Sequence, residues 1–277
     1  MKTKVFDGND LASKRVVLIK DKIKDNPEVL KQTLRVFLVG SNPASKVYLS
    51  LKKKLFLNLG IGFDDICLSE TITASKLINL IRKANTEEKV GGIVVQLPLP
   101  THWTEREKEA VLNTICPDKD IDCLTSANLK LLRSSRSKHI PATVKAVLLI
   151  LKSIKIDKSN INKYKTCILG KSNLVGKPLA DLLEGLGGNV ISCDEHTANI
   201  YGKTRKSDII ILATGVSDLL KKHMIKPGAV IIDIGEPKGD VDFKNVKKVA
   251  SFITPVPGGV GPVTVVCLLE NFVSSIV

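Results

Sequence analysis

The stretch "SNPASKVYLSLKKK" (41–54) sets Ser45, Tyr48 and Lys52 three and four residues apart, just after the apolar run "RVFLVG". Side chains at i, i+3, i+4 and i+7 share one helix face, so these three would line one stripe near a strand end. A lysine there can act as a base near neutrality only if burial or a neighbouring positive charge lowers its pKa. Left exposed, the same stripe is an ordinary Lys-rich helix face.

Tyr48 and Lys52 also spell Y-x-x-x-K, a spacing that short-chain dehydrogenases use after a glycine-rich turn; here the glycine turn comes far later in the chain. Gln96 strengthens the chemical reading. It ends an apolar run, "IVVQLPLP", where a buried amide needs a partner, which a lysine ammonium, a polar ligand or backbone alone would supply. Asp120 and Asp122 in "DKDIDCL" either turn the chain or face a ligand. Further on, "TPVPGGVGPVT" (254–264) is a Pro/Gly loop opening a helix, with Pro262 suited to the first turn. Its Pro257, Gly258 and Gly259 would let backbone approach a flat ligand.

A second constellation lies in "CILGKSNLVGKPLADLLEGLG", a strand, a glycine turn and a helix. Gly170 and Gly176 bracket Lys171, Ser172 and Asn173, so backbone N–H groups and a helix N-terminus can meet a pyrophosphate. The order is G-x-S-x-x-x-G-x-P rather than GxGxxG. About 20 residues on, Asp194 and Glu195 follow a strand, where an acid is expected to bind a ribose hydroxyl. "LATG" (212–215) and "IDIG" (232–235) add Gly215 and Gly235 at later strand ends.

The elements that must hold these groups are short apolar runs alternating with amphipathic stretches. Strands are expected at 34–40, 64–69, 90–100, 165–170, 188–193, 207–215, 228–235 and 250–256, with helices near 42–59, 73–85 and 104–113. Near-continuous Val/Ile/Leu strands separated by helices indicate parallel sheets covered on both faces. The expected fold class is therefore α/β, with two parallel-sheet domains, a cleft between them, and the second domain Rossmann-like. The polar stretch around 130–145 marks the junction. Residues 1–140 plus 262–277 are expected to form the first domain and 141–261 the second.

Composition bounds the partners. The chain has 277 residues, 43% hydrophobic and 25% charged, which is globular rather than disordered. No run of 18 apolar residues offers a membrane span, and "MKTKVFDGND" lacks the apolar core of a signal peptide. Six scattered cysteines without a CxxC pair fit reduced thiols in a cytoplasmic protein and no metal site. The net charge of +14 is spread along the chain, and only one Trp, three Tyr and seven Phe are available to stack on bases. Nucleic acid is therefore not expected as a partner; the charge reads first as a solvated Lys-rich surface and second as an attraction for a polyanionic small molecule.

Together, "VGSNPASKVYLSLK", "GGIVVQLPLP", "PDKDID", "GKSNLVGKPLADLL", "ATG", "IDIG" and "ITPVPGGVGPVT" resemble one family over nearly the whole chain and in the same order. That family is the bifunctional methylenetetrahydrofolate dehydrogenase/methenyltetrahydrofolate cyclohydrolases. The resemblance implies a folate domain, completed by the C-terminal helix, and a Rossmann-type domain. It implies oxidation of 5,10-methylenetetrahydrofolate by NADP or NAD and hydrolysis of the methenyl product to 10-formyltetrahydrofolate at the same site. It makes Lys52 the catalytic lysine, with Tyr48 over the folate, Gln96 tuning the lysine and Asp122 gripping the pterin. The substrate would also meet Pro257, Gly258, Gly259 and Pro262. The cofactor would meet Gly170, Lys171, Ser172, Val175, Gly176, Glu195, His196, Thr197, Thr214, Gly215 and Gly235. Polyglutamylated folates and a homodimer are implied partners.

The chain departs from the family pattern at Cys123, where glycine is usual, and at Ala142, Val144 and Ala146. "CHSxT" becomes "CDEHT" (193–197). NADP is the family default, but Asp194 and Glu195 would repel a 2′-phosphate and favour NAD unless Lys171 or His196 compensates. Two other classes compete: another two-domain dehydrogenase, such as a shikimate-type enzyme, and a non-catalytic basic binding protein. "QLPLP" and "PGGVGPVT" argue against the first, and the low aromatic content against a nucleic-acid form of the second.

Overall fold

A computed structural model describes residues 3–133 and 137–277. In chain order the strands are β1 (Lys4–Val5), β2 (Thr33–Val39), β3 (Gly62–Leu68), β4 (Val90–Gln96), β5 (Lys165–Leu169), β6 (Asn189–Cys193), β7 (Ile209–Leu212), β8 (Val230–Asp233) and β9 (Phe252–Ile253). The helices are α1 (Gly8–Asp25), α2 (Pro43–Leu57), α3 (Ala74–Thr86), α4 (Glu105–Asn113), α5 (Ser126–Arg133), α6 (Ala142–Ser153), α7 (Gly176–Gly185), α8 (Ile200–Thr204), α9 (Phe243–Val246) and α10 (Val260–Ile276).

Two compact units emerge. One comprises Arg15–Ala142 and Val265–Val277; the other comprises the chain up to Lys14 and Thr143–Thr264. The first is built on a parallel sheet of order β3-β2-β4, with Val36 opposite Asp65 on one side and Val94 on the other. Its helices follow from local sequence. Asn42 accepts from the Ser45 amide to start α2, and Pro43 occupies the first turn, where its missing N–H is no loss. A Thr104/Glu107 capping box starts α4. In α3, Ala74, Leu77, Ile81 and Ala84 recur at helical spacing and bury against Phe37, Val95 and Trp103.

The second unit has a six-stranded parallel sheet of order β1-β9-β8-β7-β5-β6. β5, β7, β8 and β9 are short runs buried along most of their length, while β1 and β6 at the edges are largely exposed or half-buried. Leu169, Ile210, Leu212 and Ile231 join one core. The expected strands at 207–215, 228–235 and 250–256 are trimmed to β7, β8 and β9, because their glycine- and proline-bearing ends leave the ladder. The expected strand at 90–100 likewise stops at Gln96, ahead of Pro98 and Pro100.

The division differs from the sequence-based one at the N-terminus. Lys4 and Val5 pair with Phe252 and Ile253, so residues 3–14, expected in the first domain, go with the six-stranded sheet. The last helix begins at Val260, not Pro262, and its residues from Val265 onward belong with the three-stranded unit. There Phe272 meets Phe56 edge-on, with ring centroids 5.3 Å apart.

Candidate active site

Helix α2 buries Ser45, Leu49, Lys52 and Phe56, which recur at helical spacing on one face. Lys52 therefore sits on the apolar side of the helix, only 6% exposed. Its Nζ donates to Gln96 Oε1 at 2.9 Å, and the Gln96 amide nitrogen donates to the Leu97 carbonyl at 3.1 Å. Ser45 Oγ donates to that same carbonyl at 2.9 Å, tying the start of α2 to the end of β4. Tyr48 lies one turn before Lys52 and is half-buried. Burial pulls the Lys52 pKa below that of an ordinary lysine, while the nearby charge of Asp122 opposes the shift. Burial pushes the Asp122 carboxyl up, opposed by Lys52 and reinforced by Asp120. A lysine with a lowered pKa, held by an amide and faced by a carboxyl, can exchange a proton near neutrality.

The two acids of "DKDID" have different work. Asp120 is buried and accepts from the Leu124 amide at 3.2 Å, the Thr125 amide at 2.8 Å and the Asn128 side chain at 3.0 Å. It organises the loop and leaves Asp122 to face Lys52. From α10, Asn271 Nδ2 donates to the Ile121 carbonyl at 3.0 Å and the Ile140 carbonyl at 2.8 Å, fixing the backbone next to Asp122. Cys123 sits at φ 59°, left-handed backbone that glycine adopts freely, and its buried thiol is pushed up to about 12 by burial and Asp120.

In the other unit, the glycine turn after β5 closes on itself. A Cβ at Gly176 would stand 1.8 Å from the Gly170 carbonyl oxygen, and one at Gly170 would stand 2.4 Å from that of Ala213. Only glycines permit this turn, and it delivers the chain into the N-terminus of α7. Ser172 Oγ accepts from the Val175 amide at 3.3 Å. Such a backbone cradle fits the pyrophosphate of a dinucleotide. Beside it, Lys171 Nζ pairs with Asp194 Oδ2 at 3.0 Å. The Thr197 hydroxyl donates to Asp194 Oδ1 at 2.6 Å, and hydroxyl and lysine together lower the Asp194 pKa to about 2. Glu195 and His196 are exposed.

Thr214 and Gly215 follow β7, and Gly235 follows β8, all at the carboxyl ends of parallel strands. The Pro/Gly loop belongs to the same unit. Gly258 adopts φ +95°, and its carbonyl accepts from the Gly8 amide at 2.8 Å. Thus Lys52, Gln96 and Asp122 gather in one unit, while the glycine turns, Asp194, Thr197 and Pro257–Gly259 lie in the other. Sequence reasoning passed over Asp233 and Asp240, which support the Thr214 turn from below. Their signal was an acid beside glycine in "IDIG" and "KGDVD". Among the described residues there is no group of three or more metal-ligating side chains, and no helix is long and apolar enough to cross a membrane.

Comparison with known proteins agrees with both halves. Residues 6–122 match the catalytic-domain model of tetrahydrofolate dehydrogenase/cyclohydrolase, and residues 141–277 match its NAD(P)-binding-domain model. The bifunctional protein FolD of Acetivibrio thermocellus is 40% identical over 287 residues, covering 99% of this chain and 97% of its own. The crystal structure of the bifunctional enzyme FolD, a methylenetetrahydrofolate dehydrogenase/cyclohydrolase from Campylobacter jejuni, superposes with a TM-score of 0.91. It is 36% identical, covering 99% of this chain and 98% of that one. The Trypanosoma brucei enzyme, solved with NADP and an inhibitor, gives a TM-score of 0.91 at 32% identity, covering 100% and 98%. With sequence, domain models and fold in agreement over the full length, the chain belongs to the tetrahydrofolate dehydrogenase/cyclohydrolase family.

Proposed function

We propose that the protein oxidises 5,10-methylenetetrahydrofolate to the methenyl form and hydrolyses that product to 10-formyltetrahydrofolate. The observation that carries this reading is the buried Lys52 hydrogen-bonded to Gln96 beside Asp122. In its neutral form Lys52 Nζ accepts a proton from the water that attacks the methenyl carbon and returns it to the ring nitrogen that departs, while the proton on the new hydroxyl leaves to solvent as the formyl C=O forms. Gln96 holds the amine in place and, being uncharged, does not raise its pKa. Asp122 binds the pterin edge, and Tyr48 packs over the folate, as do the loop of Pro257, Gly258 and Gly259 and, in the first turn of α10, Pro262. A bound nicotinamide dinucleotide supplies the hydride acceptor. The backbone of Gly170, Lys171, Ser172, Val175 and Gly176 holds its phosphates, with Thr197, Thr214, Gly215 and Gly235 around it. Assay of methylene oxidation and methenyl hydrolysis by the purified protein tests the reading. Absence of both in folded protein would refute it.

NAD is the preferred cofactor. Lys171 is committed to Asp194 at 3.0 Å, so it is not free to neutralise a 2′-phosphate, and Glu195 adds negative charge nearby. A ratio of kcat/KM for NAD over NADP above one supports this; a ratio below one contradicts it. The enzyme works in the cytoplasm as a homodimer on folates that include polyglutamylated forms, whose anionic tails suit the basic surface. Light scattering tests the dimer, and KM as a function of tail length tests the attraction.

A further inference from the structure

Two carboxylates lie beneath the strand ends of the six-stranded sheet. Asp233 closes β8 and is 3% exposed; Asp240, in the following loop, is 1% exposed. Asp240 Oδ2 accepts from the Thr214 amide at 2.6 Å, the Thr214 hydroxyl at 2.7 Å and the Gly215 amide at 3.2 Å. Asp233 in turn seats Asp240. Its Oδ1 accepts from the amides of Asp240 at 3.0 Å and Gly235 at 2.9 Å, and its Oδ2 from that of Val241 at 3.0 Å. The other oxygen of Asp240, Oδ1, is buried without a hydrogen-bond partner and leaves room for nothing larger than glycine at 235, where a Cβ would stand 1.9 Å away.

A buried carboxylate with one oxygen unpaired is a costly way to hold a turn. What it holds is informative. Gly215 adopts φ +71°, and nothing lies within 4 Å of where its Cβ would be, so this face of the turn is open. The turn also abuts the glycine cradle, since a Cβ at Gly170 would meet Ala213 and the Thr214 amide nitrogen. Charge-assisted bonds to a carboxylate oxygen are about twice as strong as neutral ones, and here three converge on one atom.

We propose that Asp240, seated by Asp233, is a positioning residue for the dinucleotide: it fixes the Thr214–Gly215 turn, and through it the Gly170 turn, in the conformation that receives the cofactor. This rests on the reading above that a nicotinamide dinucleotide binds at this edge. Methenyl hydrolysis needs no hydride acceptor and depends on Lys52 in the other unit, so it reports general damage separately.

The test compares Asp240→Ala and Asp240→Asn with wild type in the full chain. Dinucleotide Kd by calorimetry, KM and kcat for methylene oxidation, and methenyl hydrolysis are read on the same preparations. Asp240→Ala is expected to raise dinucleotide Kd and KM about tenfold or more, with kcat at saturation and hydrolysis little changed. Asp240→Asn, which keeps one acceptor oxygen, recovers a large part of the loss. Unchanged Kd in folded Asp240→Ala overturns the proposal, as does a parallel fall in hydrolysis. If the alanine variant does not fold, Asp240→Ser, whose shorter side chain gives up the carboxylate held by Thr214 and Gly215, decides: weakened binding with intact hydrolysis supports the proposal, and unchanged binding overturns it. Wild-type protein that binds dinucleotide without oxidising folate would defeat the functional reading yet leave this comparison intact.

Discussion

Lys52 Nζ lies 2.9 Å from Gln96 Oε1, a contact between a buried amine on α2 and a neutral amide at the end of β4. Neutrality at position 96 matters because burial alone lowers the Lys52 pKa, and a carboxylate at the same distance would reverse that. Hydrolysis in the wild type should rise with pH and level off below the pH at which an ordinary lysine loses its proton. Gln96→Glu should move that profile to higher pH. At neutral pH the rate should fall about tenfold, because raising the lysine pKa by about one leaves roughly a tenth of the neutral amine. Measuring the hydrolysis pH profiles of both proteins checks this.

Asp194 is expected to govern cofactor choice through Lys171. Replacing Asp194 with serine removes the ion pair at 3.0 Å and returns the lysine to the solvent-facing side of the turn. The ratio of kcat/KM for NADP over NAD should rise about tenfold or more, equivalent to roughly 1.4 kcal/mol of discrimination. An unchanged ratio would remove Lys171 and Asp194 from the explanation of specificity.

Cys123 bears the strain of its loop. At φ 59° an L-residue costs about 1–2 kcal/mol that glycine avoids, although the thiol is buried and donates to the His139 carbonyl at 3.3 Å. Cys123→Gly should therefore unfold in urea within about 1 kcal/mol of wild type, the two effects offsetting each other. Cys123→Val, β-branched at the same φ, should lose about 2 kcal/mol or more.

Burial dominates the Asp233 carboxyl, with a smaller push from the charge of Asp240, and its pKa is raised to about 6 despite three amide hydrogen bonds. The sign follows from proton linkage. Between the unfolded carboxylate pKa near 4 and the folded value, the native state binds more protons, so stability falls as pH rises through that window. Asp233→Asn should flatten this part of the stability–pH curve. It should also lower stability overall, because its NH₂ faces an amide donor. Chemical unfolding from pH 4 to 7 reads both effects.

Much of this was legible in the sequence because the signals are local. α2, α3 and α4 appear where amphipathic stretches between the apolar runs placed them, and both parallel sheets follow from the Val/Ile/Leu runs. An amide ending a buried strand needs a partner, but the residues alone left a lysine, a ligand or backbone open for Gln96, and only the family resemblance paired it with Lys52. The 18-residue helix α1 was missed, although Ala12, Ile19 and Ile23 bury one of its faces; its many lysines mask the spacing. β1 is too short to carry a pattern, and its place in the six-stranded sheet depends on pairing with a strand at the far end of the chain. Asp240 was hidden for the opposite reason: a charged residue between glycine and valine reads as an exposed turn. Only tertiary packing reveals that it lies buried under Thr214. Asp120 and Asp122, left open by the sequence, are separated by the amides that converge on the first and not the second.

If Lys52 performs the proton transfer of hydrolysis, Lys52→Met tests it most directly. Methionine keeps the length and apolar fit of the buried stem while removing the amine. The variant should fold, melt at a temperature no lower than wild type, and still bind dinucleotide. Its methenyl hydrolysis should fall by about 100-fold or more, towards the spontaneous rate. Methenyl hydrolysis by Lys52→Met at the wild-type rate would contradict the assignment of this lysine as the base.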